Sequence, residues 1–492
     1  MGIIAKQSIK GSIYTYIGAA IGFINTGLLM PKFFVPEQVG LVNLLIAVTL
    51  VFSQLGNLGF SGVITRLFPY FRDKNKKHNG ILTIGLFVSL SGFLLTFLLF
   101  IVVRKYLIVS VGENSSLLSE NIFYVPILSF FVILFFLFDN YNKVLFDAVL
   151  GTFLREFLVR FLDLLLIVVF IFNYIDFESF VMYYIIIYSL PTLILAIVLL
   201  KRKVFFTGGI NFKLLTELKS EIIKIAVFWI VAGFAGIAIQ AIDKYMTNYY
   251  LGLGASGIYA VTFYFGVLVA MPSRSMRKIS SIVLSESWKK NDQKTILDIY
   301  KKSTVNMLII GSLLVVGIWA NIDNIFAVIP KYAEGKYVIL FIALLSLVDM
   351  TSGVAASIIA NSKYYKIGAY IMILTLFLIV ITNIIFINLW GLKGAAFASL
   401  ISMTTAVLIR FLFLYKKYQF QPYSLKHIKI VLIAVVVLFI NYFIPKFSDF
   451  YIDILVRSSV ITVLFSVLIW FSKVSEDINK IVLQIIKKLK NN

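Results

Sequence analysis

Apolar runs close to twenty residues long recur from one end of this chain to the other, and no other feature restricts its fold as much. A run of that length crosses a hydrocarbon core of about 30 Å as a helix. Backbone in lipid has no water to bond, so such runs must satisfy their own amides and carbonyls; a membrane barrel would instead show short alternating segments. Spans fall near residues 11–33, 39–61, 79–103, 122–142, 153–173, 179–200, 222–241, 255–272, 303–320, 336–360, 367–388, 394–414, 427–443 and 452–471. The expectation is an all-α polytopic membrane protein with about fourteen transmembrane helices. Composition agrees: 60% of the 492 residues are hydrophobic, where soluble domains use about 45–50%.

The net charge of +22 invites a nucleic-acid reading, since basic balance attracts phosphate. The distribution argues otherwise. Counted over loops assigned alternately to the two sides, roughly four in five of the 45 Lys and Arg fall on one side. That is the orienting excess of positive charge in cytoplasmic loops. Both termini are expected to be cytoplasmic, membrane lipids are expected partners, and nucleic acid is not. The absence of cysteine excludes disulfides and thiolate chemistry. The two histidines, His78 and His427, lie in basic loops without partners for a zinc site. No metal and no cofactor are expected. The first span has no small-residue cleavage signature and is read as retained.

The segment Met30–Tyr70 carries the clearest internal organisation. It runs from an aromatic corner bounded by proline, through Gly40-Leu41 and an apolar span, to a small-residue run (Gly56, Gly59, Ser61, Gly62) and Arg66. A fainter copy begins about 216 residues later at Met246 and reaches Gly257-Ile258 with one insertion. A second pair, YIDFESFV from Tyr174 and WGLKGAAF from Trp390, keeps the same offset. Each leads into a span that ends in a basic cluster, Lys201-Arg202 and Lys416-Lys417. Two six-span copies share one orientation, so an axis along the membrane normal relates them. The expected organisation is an N-terminal six-helix lobe over residues 1–216, a C-terminal six-helix lobe over 217–424, and two further spans over 425–472. A cytoplasmic amphipathic tail follows over 473–492, with Val474, Ile478, Ile481, Ile485 and Leu489 on one stripe.

Charges inside a bilayer are costly and are default candidates for a site. Asp349 is expected midway along the tenth span, beside Thr351 and Ser352, as a substrate or ion-coupling residue or as an interhelical hydrogen-bonded acid. Asp163 shares a face of the fifth span with Arg160 and Glu156, a pattern that can neutralise itself within the helix; ion coupling is its alternative role. Asp243 and Lys244 close the seventh span after Gln240 and are expected at the outer mouth between lobes. Arg66 and Arg274 end the second and eighth spans, the matching spans of the two copies. A facing pair of cations there would suit a diphosphate, which Arg binds with forked charge-assisted hydrogen bonds; ordinary cytoplasmic anchoring is the plainer reading. Asn25 in the first span is a further polar candidate.

No P-loop, nucleophile elbow or HExxH is present, so ATP coupling within the chain and catalysis are both disfavoured. The stretches LLMPKFFVPEQVGLVNLL and GNLGFSGVITR, IDKYMTNYYLGLGASGIYAV, and WGLKGAAFASLIS together resemble the polysaccharide-flippase branch of the multidrug/oligosaccharidyl-lipid/polysaccharide (MOP) exporter superfamily. The resemblance covers the whole chain. It implies a V-shaped pair of six-helix lobes around a cavity in a bacterial cytoplasmic membrane. The substrate it implies is a polyprenyl-diphosphate-linked oligosaccharide, passed to the outer leaflet for O-antigen or capsule-type polysaccharide alongside other polysaccharide-assembly proteins. Arg66, Arg274 and Lys244 would attract the diphosphate or acidic sugars. A cation-coupled multidrug antiporter of the same superfamily is the alternative, with Asp163 or Asp349 as coupling acid. A glycan polymerase or ligase is a more distant one, set back by the short outer loops.

Overall fold

Where the solvent is hydrocarbon, the only partners for a span's amides are its own carbonyls four residues back, and the structure follows that rule. The computed structural model describes residues 3–108, 115–477 and 479. Among the described residues the regular elements are helices, with no strand. Ten helices are long and apolar enough to cross a membrane, or up to eleven if the bent pair Pro330–Thr351 and Ala355–Asn361 counts as one span. Each of the expected stretches falls largely on helix, and the smaller number has local causes. The fifth stretch is divided between a π-helical turn, Phe153–Leu158, and the helix Val159–Ile171. The thirteenth is a helix of only 17 residues, Leu425–Asn441. The seventh and eighth share the 57-residue helix Phe212–Leu268, interrupted at Gly252 with φ 88° and ψ 174°, a conformation that only glycine adopts without strain.

Helix ends follow from local residues. Pro36 opens Pro36–Gly56 after an extended Val35, where its missing N–H costs nothing. Asp176, Asp292 and Asp449 each accept from backbone amides in the first turn that follows, satisfying donors that a helix leaves open. In the two loop caps Asp176 and Asp292, bonds from Ser179 and Thr295 hold the carboxyls below the usual range. Faces turned outward are apolar: Phe87, Leu94, Leu98 and Val102 of the helix Ile81–Ile108 are all exposed, as a lipid-facing stripe requires.

The chain divides into two compact units, Met1–Ala260 and Val261–Asn492. The repeat boundary near residue 216 therefore lies inside the first unit. The reason is the long helix, most of which belongs to the first unit and packs on it through residues such as Ala226, Gly233 and Leu253. Hydrocarbon gives helices no hydrophobic reason to associate, so close backbone approach through small residues takes over. A Cβ on Gly40 would meet the Leu253 carbonyl, and a Cβ on Gly257 would meet the Pro36 carbonyl. These contacts are reciprocal, and the glycines are the matched positions of the two sequence copies. A core of the first unit lies around Phe68, Phe71, Tyr141 and Leu199. In the second unit Leu425–Asn441 and Phe450–Ser472 pack through Ile430, Val437, Ile461 and Phe465 onto Leu308 and Ile309 of Gln293–Ala320. The tail expected to be amphipathic lies, beyond residue 477 and apart from 479, outside the described residues.

Candidate substrate and ion sites

In the second unit the site forms at a break in a helix. Lys336–Thr351 ends where Ser352, Gly353 and Val354 turn the chain, and Ala355–Asn361 departs at 50°. Asp349 therefore sits in the last turn before the break, midway along the expected stretch 336–360. Negative charge is unfavourable at the carbonyl end of a helix, and cations from two other helices offset it. Arg277 donates from Nη2 to both the Asp349 carboxylate and its backbone carbonyl at 2.8 Å, and from Nε to the Gly353 carbonyl at 3.3 Å. One guanidinium thus neutralises the acid and caps the carbonyls that the break exposes. Arg410, from Leu392–Tyr418, approaches the other carboxylate oxygen at 3.9 Å, beyond hydrogen-bond range. Its side chain is only 13% exposed. The cluster carries two cations for one anion, and the second cation has spare donors close to it.

The first unit holds its charges differently. Glu156 and Arg160 form an ion pair at 2.9 Å within one helix. Asp163 stays out of that pair, against the expectation that all three neutralise one another. It is buried and pairs with the hydroxyl of Tyr188, which itself accepts from Tyr184 at 3.0 Å. Asp163 Oδ1 has no hydrogen-bond partner among the described residues. Asn25 lies in a π-helical turn, Ile24–Leu29, and donates to the Arg160 carbonyl at 2.8 Å; its Oδ1 is also unpartnered. Single π-helical turns within helices recur at functional sites, and here Ile24–Leu29 packs on Val159–Ile171 while Phe153–Leu158 packs on Ile3–Phe23. Beside them a cavity of about 230 Å³ is lined by Thr49, Arg155, Glu156, Arg160 and Tyr188.

The remaining candidates are scattered. Asp243 is buried and accepts from the Tyr259 hydroxyl at 2.9 Å across the Gly252 interruption, while Ser256 donates to the Lys244 carbonyl at 3.1 Å. The Lys244 amine reaches Asn43 Oδ1 at 3.4 Å. Gln240 is exposed. Arg66 is exposed within Phe60–Phe71, and Arg274 is exposed in the first turn of Met271–Lys289. Of the arginines around the eighth span, it is Arg277, one turn beyond Arg274, that engages an acid. Intramembrane charge also marks two places outside the expected candidates, Arg410 and the pair Asp453–Arg457 at 3.0 Å in the last spanning helix. Among the described residues no group of three His, Cys, Asp or Glu is placed to hold a metal ion.

No family model and no curated protein sequence matches the chain. Solved structures do match. The structure of the lipid II flippase MurJ in an inward closed conformation aligns with a TM-score of 0.75 at 15% identity, covering 94% of this chain and 99% of that one. The chain has the MOP exporter fold. An inward-facing multidrug resistance MATE family transporter of the MOP superfamily aligns with a TM-score of 0.63 at 14% identity, covering 83% of this chain and 97% of that one. An outward-facing MATE family transporter aligns at 0.51 and 15% identity, covering 83% of this chain and 94% of that one. The MOP exporter fold, with its multi-pass helical membrane architecture, is the frame in which both charge clusters sit.

Proposed function

We propose that the protein is a flippase for a lipid-linked oligosaccharide, moving a polyprenyl-diphosphate glycan from the cytoplasmic to the outer leaflet of a bacterial cytoplasmic membrane. The observation that carries this reading is the extent of the likeness: a lipid II flippase aligns over 94% of the chain, a multidrug transporter over 83%. The spare cation at Arg277, Asp349 and Arg410 suits an anionic substrate, and Arg66, Arg274 and Lys244 remain proposed attractors for diphosphate or acidic sugar. Rocking of two lobes to alternate access is the proposed mechanism. O-antigen or capsule-type polysaccharide is the proposed destination of the glycan. The test is reconstitution: purified protein in vesicles should move a fluorescent polyprenyl-diphosphate oligosaccharide across the bilayer. Cation-driven dye efflux without glycan movement would sink the reading.

One observation favours the multidrug antiporter as a second reading. The buried Asp163, its tyrosine pair and the two unpartnered oxygens next to a cavity form a polar pocket of the kind a coupled cation needs. A sodium or proton gradient that drives dye out of vesicles, and fails to do so in Asp163→Asn, would establish it.

A further inference from the structure

Three helices of the second unit, Gln293–Ala320, Leu425–Asn441 and Phe450–Ser472, share one apolar core, and at one end of it they part around a pocket. Its volume is about 620 Å³, inside the range of about 300–1,000 Å³ for small-ligand sites. The first helix contributes Asp298, Lys301 and Lys302, the start of the second Lys426, and the chain just past the third Glu476 and Asp477. Three lysines and three acids leave the lining neutral overall. Part of this charge is already used. Lys302 pairs with Asp298 at 2.8 Å. Asp477 accepts from the Asn306 amide at 2.9 Å, and Asn306 Oδ1 accepts from the Ser475 hydroxyl at 2.7 Å. Among the described residues the side chains of Lys301, Lys426 and Glu476 make no ion pair or hydrogen bond. Two free ammoniums and one free carboxylate therefore line one pocket, at the level where apolar spans stop. Exposed apolar residues lead up to it along the two later helices: Leu425, Ile428 and Leu432 on one, Val463, Val467 and Phe471 on the other. A ligand with a charged head and long chains matches both features.

We propose that this pocket holds the headgroup of a phosphatidylethanolamine, with its phosphate on Lys301 and Lys426, its ammonium on Glu476 and its acyl chains along the exposed stripes. Charge decides among the lipids. Basic pockets at headgroup level take anionic lipids, but here an anionic headgroup would leave the Glu476 carboxylate without a counter-charge. A zwitterionic one satisfies both signs and keeps the site neutral. A primary ammonium also gives Glu476 charge-assisted hydrogen bonds. The quaternary ammonium of phosphatidylcholine has no N–H to give and is recognised by aromatic cages instead, whereas Tyr423 is the one aromatic residue among those described in the lining. Bound there, the lipid bridges Gln293–Ala320 to the ends of the other two helices and holds the three together. The site is independent of the cargo, whether lipid-linked glycan or drug.

Lipid titration tests it. The full chain in detergent is titrated with phosphatidylethanolamine, phosphatidylcholine or phosphatidylglycerol of the same acyl chains, and bound lipid is counted by native mass spectrometry. Phosphatidylethanolamine should bind about tenfold more tightly than the other two, as one hydrogen bond to a charged group provides, and should raise the unfolding midpoint. Glu476→Gln should bring its affinity down to that of phosphatidylcholine. Gln421→Trp, which fills the pocket from the loop before Leu425–Asn441, should remove tight binding altogether. Both replaced residues are exposed, so the midpoints without lipid should stay at the wild-type value and report that each variant is folded. Phosphatidylglycerol binding as tightly as phosphatidylethanolamine, unchanged selectivity in Glu476→Gln, or tight binding kept in Gln421→Trp would overturn the proposal. So would competition by water-soluble glycerophosphoethanolamine at the affinity of the whole lipid, which would make the ligand a soluble one.

Discussion

The two units hold buried charge by different means. In the first, Glu156, Arg160 and Asp163 come from one stretch of helix, and Asn25 and Tyr188 bond to it from outside. In the second, Asp349, Arg277 and Arg410 come from three helices and meet at a chain break. The local cluster keeps a short-range ion pair and leaves its acid underused. The assembled cluster ties helices together and retains an extra cation. Charge spacing along one helix therefore indicates where acids and bases occur in this protein but not which of them are partners.

The contrast can be broken most directly at Arg277. Arg277→Ala leaves the Asp349 carboxylate with only the more distant Arg410 and takes the side-chain donor from the Gly353 carbonyl, while Ser352 still caps the Asp349 carbonyl; loss of one partner from a buried pair costs about 3–5 kcal/mol. A large fall in the detergent unfolding midpoint and loss of transport are expected, and Arg277→Lys should not restore them because it lacks the fork. An unchanged midpoint would mean that the assembled cluster does not hold the unit together. Asp163→Asn should give the opposite pattern: a midpoint close to wild type, and loss of any cation dependence in a vesicle assay. Arg410→Met comes next. Its nearest acid oxygen lies at 3.9 Å, so stability should change by about 1 kcal/mol or less, while affinity for an anionic substrate falls several-fold in a binding titration. Glu156→Gln should have the smallest effect, about 0.5 kcal/mol, as for an i,i+4 pair on a helix. A larger cost, measured by a double-mutant cycle with Arg160→Gln, would show the local pair to be more deeply coupled than its spacing suggests.

The repeat shows how far sequence reading reaches. Gly40 and Gly257 were matched by a faint motif at constant spacing, and they are the positions at which a Cβ would strike the opposite copy's backbone. The match was legible because backbone proximity demands glycine wherever it occurs. The partners were not, since no motif encodes which carbonyl a glycine will face. Arg274 and Arg277 teach the same lesson. Both lie in one basic helix start, and only the direction set by the turn at Val269–Ala270 and the break after Thr351 decides that Arg277 meets Asp349.

By itself the sequence determined the solvent, the helical class and the approximate spans. Each of these follows from a one-dimensional quantity, run length against bilayer thickness. Only the tertiary structure decided that Asp349 lies at a helix end, that Asp163 pairs with Tyr188 while Arg160 pairs with Glu156, and that the Lys244 amine reaches Asn43. Those facts depend on where helices bend and which faces they turn toward each other. A single glycine with φ near 88°, or a three-residue break, redirects every side chain that follows it, and hydropathy carries no trace of the angle.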